Sequence, residues 1–215
     1  MKIATYSIGT GDRFGMQGKA QLAAVQKALD EGVELAIVWN KSHREHSIVG
    51  TTQPAVMAEA RQAVQELDWK GQYFVDADHI GLGNVELFIK SSNFFTLDVA
   101  DFIGKSAEGA NLTSFVNKYS EFIGELVIPG IDQPLMISED LLQTIAEKYL
   151  YAIQEAGKIY RYIEKHKGTG NFITEVSMDE TAEPQSPIEM LFILAAIADE
   201  KIPAQTIAPK FSGRF

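Results

Sequence analysis

The sequence predicts an α/β fold, a parallel (β/α) barrel of the TIM type that is incomplete, with about six strand–helix units. Apolar, β-type runs alternate with amphipathic helical segments along the 215 residues, which is typical of parallel strands joined by crossover helices. Polar residues follow nearly every run, which favours a barrel because a barrel uses every strand end. An open doubly wound sheet instead concentrates its site at one switch point. A complete barrel has eight units and about 250 residues. We therefore expect a barrel truncated at its C-terminal end.

The six predicted strands are short apolar or β-branched runs that end at glycines, prolines or polar residues. They cover residues 3–8, 34–39, 72–80, 93–99, 172–176 and 204–210. The predicted helices cover residues 19–29, 54–67, 138–166 and 187–199, with a further helical stretch and a Pro/Gly loop within 110–137. Pro54 is suited to a first helical turn, and Ser138 precedes two acidic residues that suit the helix dipole. We interpret residues 1–215 as one catalytic domain with a helical insertion around 105–137.

Composition excludes several classes of function. The formal net charge of −10 argues against nucleic acid or an anionic membrane as the main partner, since either requires a basic face. The chain has no cysteine, which excludes disulfides, a thiolate nucleophile and thiolate metal ligands. The sequence contains no apolar run long enough to span a bilayer and begins without an apolar signal segment, so a cytoplasmic location is expected.

The strongest candidate site is the cluster Asp76-Ala77-Asp78-His79, which follows the aromatic residues of the third strand. In parallel α/β folds, ligands bind at the carboxyl ends of the strands. A strand-end aspartate can also be only a cap for the next helix. Glu175 is the second candidate, because a carboxylate inside an apolar strand is costly unless it is paired or functional.

Other polar residues are weaker candidates. Arg13 could clamp a carboxylate through its guanidinium or could merely pair with a neighbouring acid. Lys210 is a cation at a strand end, or a solvated lysine. His43 and His46 have a spacing that could hold a metal, but a pair without a third ligand is more often solvated. The segment Gly9–Arg13 lacks the third glycine of a dinucleotide fingerprint.

Several of these motifs together resemble the tagaturonate/fructuronate epimerase family. They are Gly9-Thr10-Gly11-Asp12-Arg13, Asp76-Ala77-Asp78-His79, Phe95-Thr96-Leu97-Asp98, Glu175-Val176-Ser177-Met178-Asp179-Glu180-Thr181 and Ile207-Ala208-Pro209-Lys210-Phe211. The resemblance implies a barrel enzyme that uses a divalent metal and inverts C4 of a six-carbon keto-uronate, interconverting D-tagaturonate and D-fructuronate. It also implies a longer protein, with further metal ligands beyond residue 215.

The chemistry of C4 inversion suggests roles for these residues. C4 of a 2-keto sugar acid is not adjacent to the carbonyl, so its proton is not acidic enough for simple abstraction. A retro-aldol route fits better: a base takes the C4 hydroxyl proton, the C3–C4 bond breaks to give an enediolate, and the aldehyde rotates before the bond re-forms.

We assign roles by position along the chain. The metal ligand is His79, the base Asp78 and the acid Glu175. Arg13 and Lys210 are expected to bind the substrate carboxylate, and Asp12 and Asp98 its hydroxyls. Because neighbouring residues of a regular strand face opposite ways, using both Asp78 and His79 requires the strand to have ended or twisted there. Asp76 is expected to be structural or to support the site indirectly.

Other classes of function stay open at this point. A metal-dependent aldolase or another sugar-acid isomerase would use the same residues, and a truncated chain could be non-catalytic. The expected partner is a small sugar acid. Homo-oligomers are also expected, since an unclosed sheet leaves two strands with unpaired backbone groups.

Overall fold

The computed structural model describes residues 1–213, and within them the chain forms eight strands and six α-helices. The strands are β1 (Ser7–Gly11), β2 (Ala36–Ser42), β3 (Tyr73–Ile80), β4 (Phe94–Asp98), β5 (Gly124–Leu126), β6 (Leu135–Ile137), β7 (Ile173–Ser177) and β8 (Thr206–Ala208). The helices are α1 (Gly18–Asp30), α2 (His43–Val49), α3 (Pro54–Glu66), α4 (Gly109–Tyr119), α5 (Glu139–Lys167) and α6 (Pro187–Asp199). Short 3₁₀ turns lie at Val85–Leu87, Ala100–Phe102 and Ser120–Phe122.

Six strands form one sheet in the order β1-β2-β3-β4-β7-β8, and β5 and β6 form a separate two-stranded sheet. The four neighbouring pairs from β1 to β7 are parallel. Each strand of this sheet pairs with the next one along the chain, so the order does not reverse as it does in a doubly wound sheet. The predicted α/β class with parallel strands is confirmed.

The chain divides into two compact units. The first comprises Met1–Asp98, Ile159–Ser177 and Ala204–Ile207, and the second comprises Val99–Lys158, Met178–Pro203 and the described residues from 208 onward. The interpretation of the chain as one domain stays a prediction.

Two apolar cores lie within the first unit, on opposite faces of its strands. One face packs against α1 and α3. Its buried residues are Leu22, Val25, Ile37, Trp39, Val56, Ala60, Ala63, Trp69 and Val75. The other face has a smaller cluster of Ala36, Val38, Phe74, Phe94 and Ile173, with Ile3 and Ala4 against it. Successive side chains of a strand point to opposite faces, so a strand that is covered on both faces is apolar along its length. Such strands are typical of a buried parallel sheet.

The first predicted strand was placed too early, because β1 begins at Ser7 and not at Ile3. Ile3 and Ala4 pack against the smaller apolar cluster instead of pairing in the sheet. The backbone N–H of Ile3 donates to Gln205 Oε1 at 3.0 Å, and the carbonyl of Lys2 accepts from Gln72 Nε2 at 3.1 Å. The first residues therefore lie beside the starts of other strands and fill space there.

No helix was predicted between residues 39 and 54, but the structure has the helix α2 there. A capping box begins this helix, in which Ser42 and Glu45 satisfy each other's backbone N–H groups, and Gly50 ends it with φ of 69°. The helix was missed because most of its residues are polar, so no apolar periodicity marks it.

The second unit contains α4, the β5–β6 hairpin, α6 and most of α5. Lys148 Nζ and the Tyr149 hydroxyl both donate to Glu189 Oε1, at 2.7 and 2.8 Å, and so link α5 to the first turn of α6. The helical stretch predicted within 110–137 is a helix only to Tyr119, and the antiparallel hairpin follows it. None of the helices in residues 1–213 is long and apolar enough to cross a membrane.

Candidate active site

A row of polar side chains crosses one face of the sheet. Asn40, Asp76, Thr96 and Glu175 each follow by two positions a residue of the smaller apolar cluster, so they point to the same face. Asn40 is in register with Asp76, and Thr96 with Glu175. We call these four residues the polar row.

Thr96 joins two carboxyl groups of the polar row. Its hydroxyl lies 2.8 Å from Asp76 Oδ2 and 3.3 Å from Glu175 Oε1. Asp76 is only 5% exposed, whereas Glu175 is half-buried. Among the residues that the structure describes, neither Asp76 Oδ1 nor Asn40 Oδ1 has a hydrogen-bond partner, although both atoms are buried. A buried polar atom without a partner costs about 1–3 kcal/mol, so these two oxygens are positions where a ligand or a water molecule can donate a hydrogen bond.

Burial raises the pKa of Asp76 well above its usual range. The negative charges of Asp78 and Glu175 raise it further, while the hydrogen bond from Thr96 and the charge of His79 act in the opposite direction. The first two causes disfavour the charged form, because a carboxylate loses its hydration and meets like charges. Asp76 is therefore poised to hold a proton at pH values where an exposed aspartate is ionised.

This shift predicts how stability depends on pH. Between the ordinary pKa of an aspartate and the raised pKa of Asp76, the folded chain binds more protons than the unfolded chain, so this group makes the protein less stable as pH rises. Asp76→Asn should therefore raise the urea midpoint relative to wild type at pH 8, and the advantage should vanish towards pH 4. Parallel curves for the two proteins across this range would contradict the raised pKa of Asp76.

The end of β3 shows how Asp78 and His79 come to lie together. The pairing of β3 with β4 shifts between Ala77 and Ile80, which is a β-bulge, and His79 has a left-handed backbone with φ of 52°. Bulges of this kind redirect a side chain and are common beside active sites. Asp78 Oδ1 lies 2.7 Å from His79 Nδ1. Asp78 and His79 can both serve one site only if the strand is irregular at this point, and the bulge is such an irregularity. The strand β3 itself continues to Ile80.

Asp12 and Arg13 lie in the turn after β1, and the structure shows local partners for both. Asp12 accepts hydrogen bonds from the backbone N–H groups of Phe14 at 3.0 Å and Met16 at 2.6 Å, and also from that of Gln17. Burial acts to raise the pKa of Asp12, but these bonds outweigh it and the pKa is lowered. Arg13 Nε lies 3.6 Å from Glu45 Oε1. These contacts order the turn, and the substrate-binding roles of both residues stay predictions.

The last two candidates lie in different units. Asp98 ends β4, in register with Ser177, two residues after Thr96 on the same strand. Lys210 belongs to the second unit, where its backbone N–H donates to Gln185 Oε1 at 2.6 Å. The roles proposed for Asp98 and Lys210 stay predictions.

The two histidines of α2 each have a separate local partner. His43 Nδ1 lies 3.1 Å from Gln53 Nε2, and His46 Nδ1 lies 2.9 Å from Thr51 Oγ1. Burial, together with the charge of Lys41, lowers the pKa of His46 to about 4. His46 is only 1% exposed, so the structure favours a core histidine at this position.

His79 is suited to hold a divalent cation as one ligand of a larger set. A carboxylate on one ring nitrogen fixes the ring and leaves the other nitrogen to face a metal, which is the usual arrangement around ligating histidines. The contact between Asp78 and His79 Nδ1 has this form. Residues 1–213 contain no group of three or more His, Cys, Asp and Glu side chains placed to hold a metal ion.

The sequence pattern did not identify two members of the polar row. Neither Asn40 nor Thr96 was assigned a role. Both lie two residues after a core position on the same face of a strand, and this spacing was the available signal. The alternation was difficult to use, because strands buried on both faces have nearly continuous apolar sequences.

Comparison with known proteins gives a consistent result. A family model described as tagaturonate epimerase (UxaE) matches residues 1–215. A curated relative, the tagaturonate/fructuronate epimerase of Thermotoga maritima, is 25% identical over 225 residues, which cover 97% of this chain and 44% of the relative.

Solved structures share the fold. A glycerol-bound fructuronate-tagaturonate epimerase UxaE from Cohnella laeviribosi superposes with a TM-score of 0.80 at 20% identity, over 97% of this chain and 44% of that one. A second glycerol complex of the same enzyme gives a TM-score of 0.75 at 20% identity, over 98% and 45% of the two chains. The chain thus spans less than half the length of the relatives it matches.

Proposed function

Because the chain belongs to the tagaturonate epimerase family, we propose that it is part of an enzyme that interconverts D-tagaturonate and D-fructuronate by inverting C4. The observation on which the proposal depends is the family match along residues 1–215. The polar row supports it, since it places carboxyl groups on one face of a parallel sheet. Asp78 and His79 follow near the carboxyl end of β3, where such folds bind ligands.

The sheet itself is best explained as part of a (β/α) barrel. The sequential strand order and the parallel pairing are those of a barrel wall. In a barrel, every second side chain of a strand faces the interior. Along β3 these side chains change from the apolar Phe74 to Asp76, and along β7 from the apolar Ile173 to Glu175.

Asp78 and Glu175 are the residues to which we assign proton transfer. Asp78 takes the proton of the C4 hydroxyl, and Glu175 provides the acid that an aldol route also needs. Arg13 binds the terminal carboxylate of the substrate, and Asp12 and Asp98 bind its hydroxyls. The assignment is supported by Asp76, whose pKa is raised by burial and also by the charges of both Asp78 and Glu175.

His79 would provide one ligand to a divalent metal cation. Such a cation, when bound, would supply Lewis-acid stabilisation of the negative charge that develops as C3 and C4 separate. In this arrangement Asp78 also orients the His79 ring through the 2.7 Å contact at Nδ1.

An isotope experiment tests the proposed route. In a retro-aldol reaction C4 becomes the aldehyde carbon and keeps its hydrogen, whereas deprotonation at C4 would exchange that hydrogen with solvent. We expect D-fructuronate formed from D-tagaturonate in D₂O to retain protium at C4, as read by proton NMR. Deuterium at C4 would contradict the route, and net accumulation of three-carbon fragments would indicate an aldolase.

A further inference from the structure

Thr96 lies between two carboxyl groups but has a single hydroxyl hydrogen. It is 3% exposed, and its Oγ1 is within 3.3 Å of both Glu175 Oε1 and Asp76 Oδ2. One hydroxyl hydrogen can be donated to only one of the two carboxyl oxygens at a time. The other oxygen can complete its hydrogen bond to Oγ1 only as a protonated carboxylic acid that donates.

The surroundings disfavour two negative charges at this position. The groups that act on Asp76 are Asp78, Glu175 and His79, and the uncharged Asn40 lies beside it in register on β2. Two carboxylates that contact one hydroxyl do not both ionise readily, because the like charges repel and Asp76 is buried away from water. The raised pKa of Asp76 agrees with this arrangement.

We propose that Asp76 and Glu175 share one proton through the hydroxyl of Thr96, and that Thr96 is the positioning residue through which Glu175 recovers its proton. The exchange moves protons only. The hydroxyl proton of Thr96 passes to Glu175 Oε1 as Asp76 Oδ2 passes its proton to Thr96 Oγ1, and the reverse transfer restores the starting state. The shared proton does not depend on the identity of the substrate, whereas its use in catalysis rests on the function proposed above.

Infrared spectroscopy of the chain without substrate tests the shared proton directly. At pH 7, wild type should show the carbonyl stretch of a protonated carboxyl group, and Asp76→Asn should remove it. Thr96→Ser should keep the band in place, and Thr96→Val should shift it by removing the hydrogen bond. Glu59→Gln is the matched control, because burial also raises the pKa of Glu59, which accepts from the Gly18 N–H on another part of the first unit. An unchanged wild-type spectrum after Asp76→Asn would overturn the proposal.

Kinetics of the intact protein test the positioning role. Thr96→Val should lower kcat by about tenfold, the loss expected for one hydrogen bond of ordinary strength, with KM unchanged. Thr96→Ser should restore the rate, since it keeps the hydroxyl. If serine is as slow as valine, Thr96 acts by packing and the positioning role is wrong. Wild type without epimerase activity would contradict the proposed function, while the infrared comparison would still decide whether the proton is shared.

Discussion

Replacing Asp78 by asparagine is expected to lower kcat for C4 epimerisation by about 10²–10⁴-fold, the usual contribution of a positioned general base. The amide keeps the size of the side chain but cannot accept the C4 hydroxyl proton as a carboxylate does. Asp78 Oδ1 contacts His79, so a second carboxylate oxygen is available for the substrate. Steady-state kinetics of the intact protein, with metal content measured on the same samples, check this result.

Two comparisons make the Asp78 result decisive. Asp76→Asn should reduce kcat less, because Asp76 is buried and is proposed to act through its contact with Thr96. If Asp76→Asn is the more damaging change with folding intact, the two roles are reversed. If Asp78→Asn loses metal together with activity, Asp78 acts mainly by orienting His79 and the base lies elsewhere.

Replacing His79 by alanine is expected to lower metal content and activity together. Losing a ligand weakens metal binding more than losing a residue that only orients a ligand, and the latter already costs about 10–100-fold in affinity or activity. Alanine keeps the Cβ atom, so the substitution does not remove the strain of the left-handed backbone at φ of 52°. Elemental analysis of the purified variant gives the metal content independently of the assay.

His43→Ala is the matched control for His79→Ala. His43 is a histidine of the same first unit, and its Nδ1 contacts Gln53 in a local arrangement at the start of α2. The control should keep both metal and activity. A loss of metal in His43→Ala alone would favour the histidine pair of α2 and would contradict the assignment of His79.

Much of the fold could be predicted from the sequence because local signals agree with it. The helix from Pro187 to Asp199 has proline in its first turn and a continuous apolar sequence, and its bounds were predicted correctly. The long helix α5 has acidic residues at its start and basic residues at its end, and it was predicted to within one residue. The first strand was predicted to begin too early because Ile3 is apolar. Ile3 packs against the smaller apolar cluster and does not pair in the sheet.

The candidate site was harder to predict, because its geometry depends on pairing between strands distant in sequence. Asp76, Asp78 and His79 were visible as a cluster at the end of one strand. The hydrogen bond between Thr96 and Glu175 joins β4 to β7, which are separated along the chain by α5. No local sequence pattern predicts such a contact. The bulge at His79 is likewise a property of the β3–β4 register and not of local propensity.

The most direct measurement is conversion of the two proposed substrates by the intact protein with added divalent cations. D-tagaturonate and D-fructuronate, incubated separately and followed by carbon-13 NMR, should approach the same mixture from both directions without smaller fragments. Failure to interconvert them, in a preparation whose circular dichroism and denaturant unfolding show a folded chain, would contradict the account.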